Sequence, residues 1–154
     1  MSPITVVIAE QERERRATCQ RILANERGIR VVGEAGTVAE TLAAARLAPR
    51  VLLVDSRLAL GHGLVLPAFR RSSPRTRVIV LTGQSSGPAL LDALANGANG
   101  VLNRRLLRAF LGKAIRRVAA GESWVPRKVI PRIIETLRTP FAASSRAVDS
   151  ELSP

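Results

Sequence analysis

The sequence predicts an α/β fold in which helices cover both faces of a parallel β-sheet. Short apolar runs alternate five times with segments of helical periodicity, which is the pattern of repeated βα units. The run Val51–Val54 is apolar throughout, as expected for a strand buried on both faces of a sheet. Hydrophobic residues make up 46% of the 154 positions and aromatic residues only 3%, so we expect one well-packed domain with an aliphatic core.

The boundaries of the predicted elements follow from their apolar runs and from stop signals. The predicted strands are Ile4–Ala9, Ile29–Gly33, Val51–Val54, Arg77–Leu81 and Gly100–Leu102. The predicted helices are Glu12–Glu26, Val38–Leu47, Leu64–Arg71, Pro88–Asn96 and Leu107–Ala120. Thr37 is a candidate N-cap, and Gly28 and Gly121 are candidate helix stops. Five such units with right-handed crossovers predict a flavodoxin-like (βα)5 doubly wound sheet with strand order 2-1-3-4-5.

Polar residues follow several of the predicted strands. Strands 1 and 3 are neighbours in this order, and their carboxyl ends carry Glu10-Gln11 and Asp55. Thr82 ends strand 4, and Arg104 follows strand 5. Ligands of open α/β sheets bind outside the carboxyl ends of the strands, so these side chains predict a functional crevice. The simpler interpretation of Asp55 alone is a helix N-cap.

Charge and composition limit the class of protein. The net charge is +12, and residues 104–138 contain ten basic and two acidic side chains. This patch is typical either of a solvated face or of a surface that binds nucleic acid, although there is no aromatic interleaving to stack bases. We expect a cytoplasmic protein without a membrane segment, because no run is long enough to span a bilayer and Cys19 is the only cysteine.

The last thirty residues differ from the rest of the chain. We predict a first domain over residues 1–124 and a second segment over residues 125–154. In that segment, Arg127–Leu137 predicts a short helix, and Thr139–Pro154 is rich in Ser, Ala and Pro, as linkers are.

Six evenly spaced stretches carry a resemblance to a known family: Thr5–Ala9, Val31–Gly36, Val51–Asp55, Thr76–Thr82, Gly97–Gly100 and Val118–Trp124. Together they resemble the receiver domain of bacterial two-component response regulators, more narrowly that of LuxR/NarL-type transcription regulators. The resemblance implies that Asp55 is the residue that accepts a phosphoryl group from a histidine kinase. It implies that Thr82 and Gly83 contact the phosphate. Residues 125–154 would then lead to a helix-turn-helix DNA-binding domain absent from this chain.

Other positions depart from the family pattern. The acidic pair that binds a divalent ion is here Glu10 and Gln11, and Gln11 offers only a neutral carbonyl to Mg²⁺. The resemblance places the backbone carbonyl of Arg57 as a further metal ligand. Arg104 replaces the family's lysine as the phosphate-contacting cation, and its planar guanidinium is not equivalent to an ammonium. Val101 occupies the position of the aromatic switch residue, and its β-branched side chain is stiff. Mg²⁺ binding is therefore expected to be weakened or absent.

These residues support a signal-receiving regulatory domain with an atypical phosphorylation pocket, working as a homodimer. One hypothesis is that Arg104 pairs directly with Asp55 and holds a phosphorylated-like state without metal. A second interpretation is a phosphorylation-independent pseudo-receiver that serves as a dimerisation, ligand-binding or protein-interaction module. A third is a basic nucleic-acid-binding protein. An enzyme is not predicted, because neither a general base nor a metal cluster accompanies the crevice.

Overall fold

The computed structural model describes residues 2–61, 65–83 and 87–138. Its centre is a five-stranded parallel sheet with the order β2-β1-β3-β4-β5. The strands are β1 (Ile4–Ala9), β2 (Ile29–Ala35), β3 (Val51–Asp55), β4 (Arg77–Thr82) and β5 (Gly100–Asn103). The predicted fold class and strand order are confirmed, and each predicted strand is present, most of them one or two residues longer than expected.

The α-helices of the described residues are α1 (Arg13–Ala24), α2 (Val38–Ala43), α3 (Ser56–Leu60), α4 (Val65–Ser72), α5 (Gly87–Ala95), α6 (Leu107–Ala119) and α7 (Ile130–Arg138). Three 3₁₀ segments join them at Ala44–Leu47, Arg104–Leu106 and Arg127–Val129. Thr37 caps α2 as predicted, since its hydroxyl accepts a hydrogen bond from the Glu40 N–H at 3.1 Å. Leu64, the predicted start of the third helix, lies outside the described residues.

The helix α3 was not predicted. It begins directly after β3 because Asp55 acts as its N-cap: the side-chain Oδ2 accepts a hydrogen bond from the Arg57 N–H at 3.0 Å. The segment is rich in Leu and Ala, which are strong helix formers. The second predicted helix is also shorter than expected, because the chain changes to a 3₁₀ segment at Ala44. That segment is ended by Ala48, which adopts a positive φ of 45°.

Two aliphatic core layers enclose the sheet. Alternate residues of β1 point to opposite faces, with Val7 and Ala9 in one layer and Val6 and Ile8 in the other. The first layer receives apolar side chains from α2 to α5, including the fully buried Phe69, and the second receives them from α1 and α6. The inner strand β3 is covered on both faces, so its first four residues are apolar without alternation, whereas the edge strand β2 exposes Arg30 and Glu34.

Trp124 closes the outer edge of the sheet. Its backbone runs beside β5, where the Val101 N–H donates to the Trp124 carbonyl at 2.8 Å. Gly100 permits this close approach, because a Cβ there would lie 3.1 Å from the Trp124 Cβ and 3.2 Å from the Val118 Cγ2. The indole packs against Phe110 of α6, with the ring centroids 5.8 Å apart.

The end of the described chain is partly attached to this domain. Val125 and Ile133 are partly buried against the first core layer, whereas Ile130, Ile134 and Leu137 of α7 are exposed. The short helix predicted over 127–137 is present, and the predicted linker Thr139–Pro154 lies outside the described residues. None of the described helices combines the length and the apolar composition that a membrane crossing requires.

Candidate functional site

Three charged residues meet at the carboxyl edge of the sheet. Glu10 follows β1, Asp55 ends β3, and Arg104 begins the 3₁₀ segment after β5. Since β4 lies between β3 and β5, the Arg104 side chain has to extend across β4 to reach the acidic residues. Glu10 and Asp55 are almost fully buried, with only 1% and 2% of their surface exposed. Two buried carboxylates and the Arg104 guanidinium therefore lie together at this edge.

Arg104 contacts both carboxylates with a single nitrogen. Its Nη2 donates to Oε2 of Glu10 and to Oδ1 of Asp55, and we call this pair of contacts the Arg104 bridge. Burial alone lowers the pKa of the guanidinium, but the hydrogen bond to Asp55 and the negative charge of Glu10 outweigh it, so that the pKa is raised above its ordinary value. Arg104 is thus a permanent cation at this site. The predicted contact between Arg104 and Asp55 is present, and the contact with Glu10 comes in addition.

Backbone N–H groups occupy the other carboxylate oxygens. Oε1 of Glu10 accepts from the Glu12 N–H at 3.1 Å, and Oδ2 of Asp55 accepts from the Arg57 N–H at 3.0 Å. Each of the four carboxylate oxygens therefore has a donor from the protein. Buried charges are tolerated when they are paired and hydrogen-bonded in this way.

Arg16 is a part of the site that the sequence did not indicate. Its Nη1 donates to the Glu10 carbonyl at 2.6 Å and to the Gln11 carbonyl at 3.4 Å, and so fixes the loop that carries Glu10. Gly36 leaves room for this guanidinium, since a Cβ there would lie 2.6 Å from Arg16 Nη1. An arginine at the start of an amphipathic helix is usually solvent-exposed, so the position of Arg16 six residues after Glu10 forms no sequence pattern that would indicate a contact. Gln11 itself is exposed, outside the Arg104 bridge.

The remaining predicted site residues surround the bridge on the neighbouring strands. Thr82 is buried on β4, next to the strand of Asp55, and Val101 is buried on β5, where it pairs with Val80. Within the part of the chain that the structure describes, nothing lies within 4 Å of the position that a Cβ on Gly83 would take. The Arg57 side chain is exposed, and its carbonyl accepts the Gly61 N–H at 3.0 Å within α3.

Two buried polar atoms at this edge have no hydrogen-bond partner among the described residues. They are the Thr82 Oγ1 and the Arg104 Nε. Both carry a hydrogen that can be donated, and buried donors without a partner are rare. In the part of the chain that the structure describes, no three His, Cys, Asp or Glu side chains are grouped so that they could hold a metal ion.

The five-stranded parallel sheet and the charged residues at its carboxyl edge define the class of protein. Residues 6–116 match the family described as the response regulator receiver domain, and the chain belongs to that family.

Among its relatives, the DNA-binding transcriptional activator DevR/DosR of Mycobacterium tuberculosis is 36% identical over 110 residues, covering 70% of this chain and 51% of the relative. The nitrate/nitrite response regulator protein NarL of Escherichia coli is 27% identical over 154 residues, or 99% of this chain and 71% of the relative. The match with DevR/DosR thus spans only about half the length of that relative. The resemblance to LuxR/NarL-type response regulators is confirmed.

Solved structures support the same fold. The isolated receiver domain of RcsB from Salmonella enterica serovar Typhimurium, in its apo form, superposes with a TM-score of 0.76 at 22% identity. This comparison covers 86% of the present chain and 98% of the other. The receiver domain of the putative response regulator NarL from M. tuberculosis gives a TM-score of 0.67 at 25% identity, covering 79% of this chain and the whole of that one.

Proposed function

We propose that this receiver domain regulates transcription through a pocket in which the Arg104 bridge takes the place of a bound Mg²⁺ ion. Asp55 is the acceptor position of this pocket, and Thr82 and Gly83 lie where an incoming phosphoryl group would be contacted. The single observation that carries the proposal is the simultaneous contact of Arg104 with Glu10 and Asp55. A cation that pairs with both carboxylates lowers the net negative charge of the site by one, and so reduces the electrostatic need for a metal ion.

The ligand set argues against Mg²⁺ at this edge. Mg²⁺ requires near-octahedral coordination by oxygen, usually from carboxylates and water. Oε2 of Glu10 and Oδ1 of Asp55, the two oxygens that face each other, are both taken by Arg104, and Gln11 is exposed. The Arg57 carbonyl, the predicted backbone ligand, is engaged by the Gly61 N–H. These residues do not fit a Mg²⁺ ion as they are arranged here.

The same groups are suited to bind an oxyanion on Asp55. Phosphoryl transfer needs a positioned nucleophile and donors for the charge that spreads over the phosphoryl oxygens. An Asp55 oxygen would form the bond to phosphorus while the bond to the donor's leaving group breaks. The Nε–H of Arg104 and the hydroxyl of Thr82, which have no partner among the described residues, then provide two donors for it.

Phosphorylation can be tested with acetyl phosphate and a phosphate-affinity gel, using the wild type and Asp55→Asn in EDTA and in Mg²⁺. We expect a shifted band for the wild type in both conditions and none for Asp55→Asn. A band that appears only with Mg²⁺ would contradict the role assigned to Arg104.

A second candidate is the pseudo-receiver, which one observation favours: Asp55 Oδ1 is already paired with Arg104, so the nucleophile is not free. In this case the domain is held in one state and acts as an interaction module. No shifted band under either condition, with an intact fold, would support this candidate over the first.

Further assignments extend to the whole regulator. We propose a histidine kinase as phosphoryl donor, a second copy of this chain as dimer partner, and DNA contact through a C-terminal helix-turn-helix domain. The role is regulatory rather than enzymatic, and the location cytoplasmic. Nucleic-acid binding by the basic residues of 104–138 is the remaining alternative. For that alternative, affinity for duplex DNA would fall steeply with salt, and an affinity that is flat with salt would count against it.

A further inference from the structure

The opposite edge of the sheet contains a second polar cleft, far along the strands from Asp55. It has a volume of about 800 Å³ and lies where β3 and β4 begin. Four arginines line it: Arg50, Arg70, Arg75 and Arg77. Among the described residues, the rest of its lining is small or neutral, and no acidic or aromatic side chain contributes to it. The cleft is within the usual size range for small-molecule sites.

The arginines lack carboxylate partners. Within residues 2–61, 65–83 and 87–138, none of the four forms a salt bridge, although six other ion pairs are present there. The carboxylates of those six pairs belong to Glu10, Glu12, Glu26, Asp55 and Glu122, and none of these residues lines the cleft. A cluster of cations without counter-charges attracts anions, and guanidinium groups recognise phosphate oxygens through paired N–H donors.

Two of these side chains are held in place by backbone carbonyls. Arg70 Nη1 donates to the Gly97 carbonyl at 2.8 Å, and Arg50 Nη2 donates to the Ala119 carbonyl at 3.1 Å. Gly97, with a φ of +99°, leaves space for Arg70, because a Cβ there would lie 2.5 Å from Nη1. Each guanidinium has five N–H donors, so donors remain free for a ligand. The side chains are therefore positioned before a ligand arrives, which lowers the entropy lost on binding.

The loop between α4 and β4 is rigid as well. Thr76 Oγ1 donates to the Pro49 carbonyl at 2.6 Å, and Ser73 lies 2.6 Å from the same hydroxyl. Because Thr76 uses its hydrogen on Pro49, Ser73 has to be the donor to Thr76. The Arg77 N–H also donates to the Arg50 carbonyl at 2.9 Å. These buried contacts fix the backbone that carries Arg75 and Arg77 to the one that carries Arg50.

We propose that this arginine cleft binds a small anion that carries several phosphate groups, recognised through its phosphates alone. Four unpaired cations match a ligand of high negative charge. The absence of aromatic side chains from the lining leaves nothing to stack on a nucleobase. The cleft lies at the edge opposite Asp55 and shares no residue with the Arg104 bridge.

Isothermal titration calorimetry with inorganic triphosphate tests this site in Mg²⁺-free buffer. Arg75→Glu is the first variant, because the Arg75 side chain is exposed and forms no salt bridge among the described residues. The second is Arg50→Gln with Arg70→Gln. The matched control is Arg105→Gln with Arg108→Gln, which removes the same charge from exposed positions outside the cleft.

We expect the wild type and the control to bind triphosphate with affinities within about twofold of each other. Each cleft variant should bind at least about tenfold more weakly, as expected for the loss of charge-assisted hydrogen bonds. ATP should bind no more than about twofold more tightly than triphosphate, since the base has no stacking partner. The proposal is overturned if the wild type shows no binding, if the control loses as much affinity as the cleft variants, or if ATP binds at least tenfold more tightly. It is also overturned if the cleft variants weaken only the binding of a duplex of about 20 base pairs, which would indicate a phosphate-backbone surface.

Discussion

Replacing Arg104 with methionine removes the cation of the Arg104 bridge and keeps a side chain of similar length. Glu10 and Asp55 are then left as facing negative charges, with 1% and 3% of their side-chain surface exposed. Breaking a buried ion pair by removing one partner costs about 3–5 kcal/mol. Each carboxylate keeps one backbone N–H donor, so we expect a loss near the lower limit, about 3 kcal/mol in the free energy of unfolding.

Thermal unfolding followed by circular dichroism measures this loss. A shift of about 2–4 °C per kcal/mol is typical of a domain of this size, so the midpoint should fall by about 6–12 °C. The matched control is Arg108→Met, an exposed arginine without an ion pair among the described residues, which should change the midpoint by less than about 2 °C.

Neutralising the carboxylates should restore stability in the Arg104→Met background. With Glu10→Gln and Asp55→Asn added, the buried negative charges are gone, and we expect a midpoint within about 4 °C of the wild type. If Arg104→Met alone costs less than about 1 kcal/mol, the bridge does not neutralise these carboxylates, and the reasoning fails. It also fails if the triple variant is no more stable than the single one.

Two further predictions concern the core and the sheet edge. Burial raises the pKa of the Cys19 thiol to about 11 from an ordinary value of 9.0, with Arg104 opposing the shift and Glu10 adding to it. Folding therefore favours the protonated thiol, so this stabilisation is complete below pH 9 and is lost as the pH rises toward 11. The stability difference between wild type and Cys19→Ala in urea should shrink over that interval, and a constant difference would contradict the shift. Gly100→Ala should cost about 1–3 kcal/mol, because the new methyl group presses on Trp124 and Val118. The fluorescence of Trp124, the only tryptophan, should change in the folded state, and unchanged emission with unchanged stability would contradict the close packing.

The inner strands of the sheet were predictable because burial on both faces forces them to be apolar. In a chain with a net charge of +12, runs as apolar as Val51–Val54 and Val78–Leu81 indicate strands that are buried on both faces. The right-handed crossover rule then leaves few possible strand orders. Thr37 was predictable for a similar reason, because its hydroxyl is adjacent to the amides that need an acceptor.

The helix α3 was missed because Asp55 has two roles. It ends β3 and is also the N-cap of α3, and the prediction from sequence assigned it to the end of the strand. In the structure both descriptions hold, since Oδ2 caps the helix and Oδ1 faces Arg104. A sequence pattern cannot assign two roles to the two oxygens of one carboxylate.

The composition of the pocket was predictable, but its contacts were only partly so. Polar residues at strand ends indicate which side chains share an edge, and this placed Glu10, Asp55 and Arg104 together. The reach of Arg104 across β4 to Glu10 depends on strand spacing and side-chain rotamers, and the position of Arg16 depends on the space beside Gly36. Neither leaves a periodic signal in the sequence.

The Arg104 bridge has a consequence for the order in which the protein is built. It joins residues that are 94 and 49 positions apart, so both acidic partners leave the ribosome long before their cation does. A nascent chain that ends before residue 104 has β1, β3 and β4 but no charge to neutralise Glu10 and Asp55. Contacts between residues that are so far apart in sequence form at a large cost in loop-closure entropy. The Arg104 bridge can therefore form only after residue 104 has been made, which places these contacts among the last long-range ones available to the growing chain.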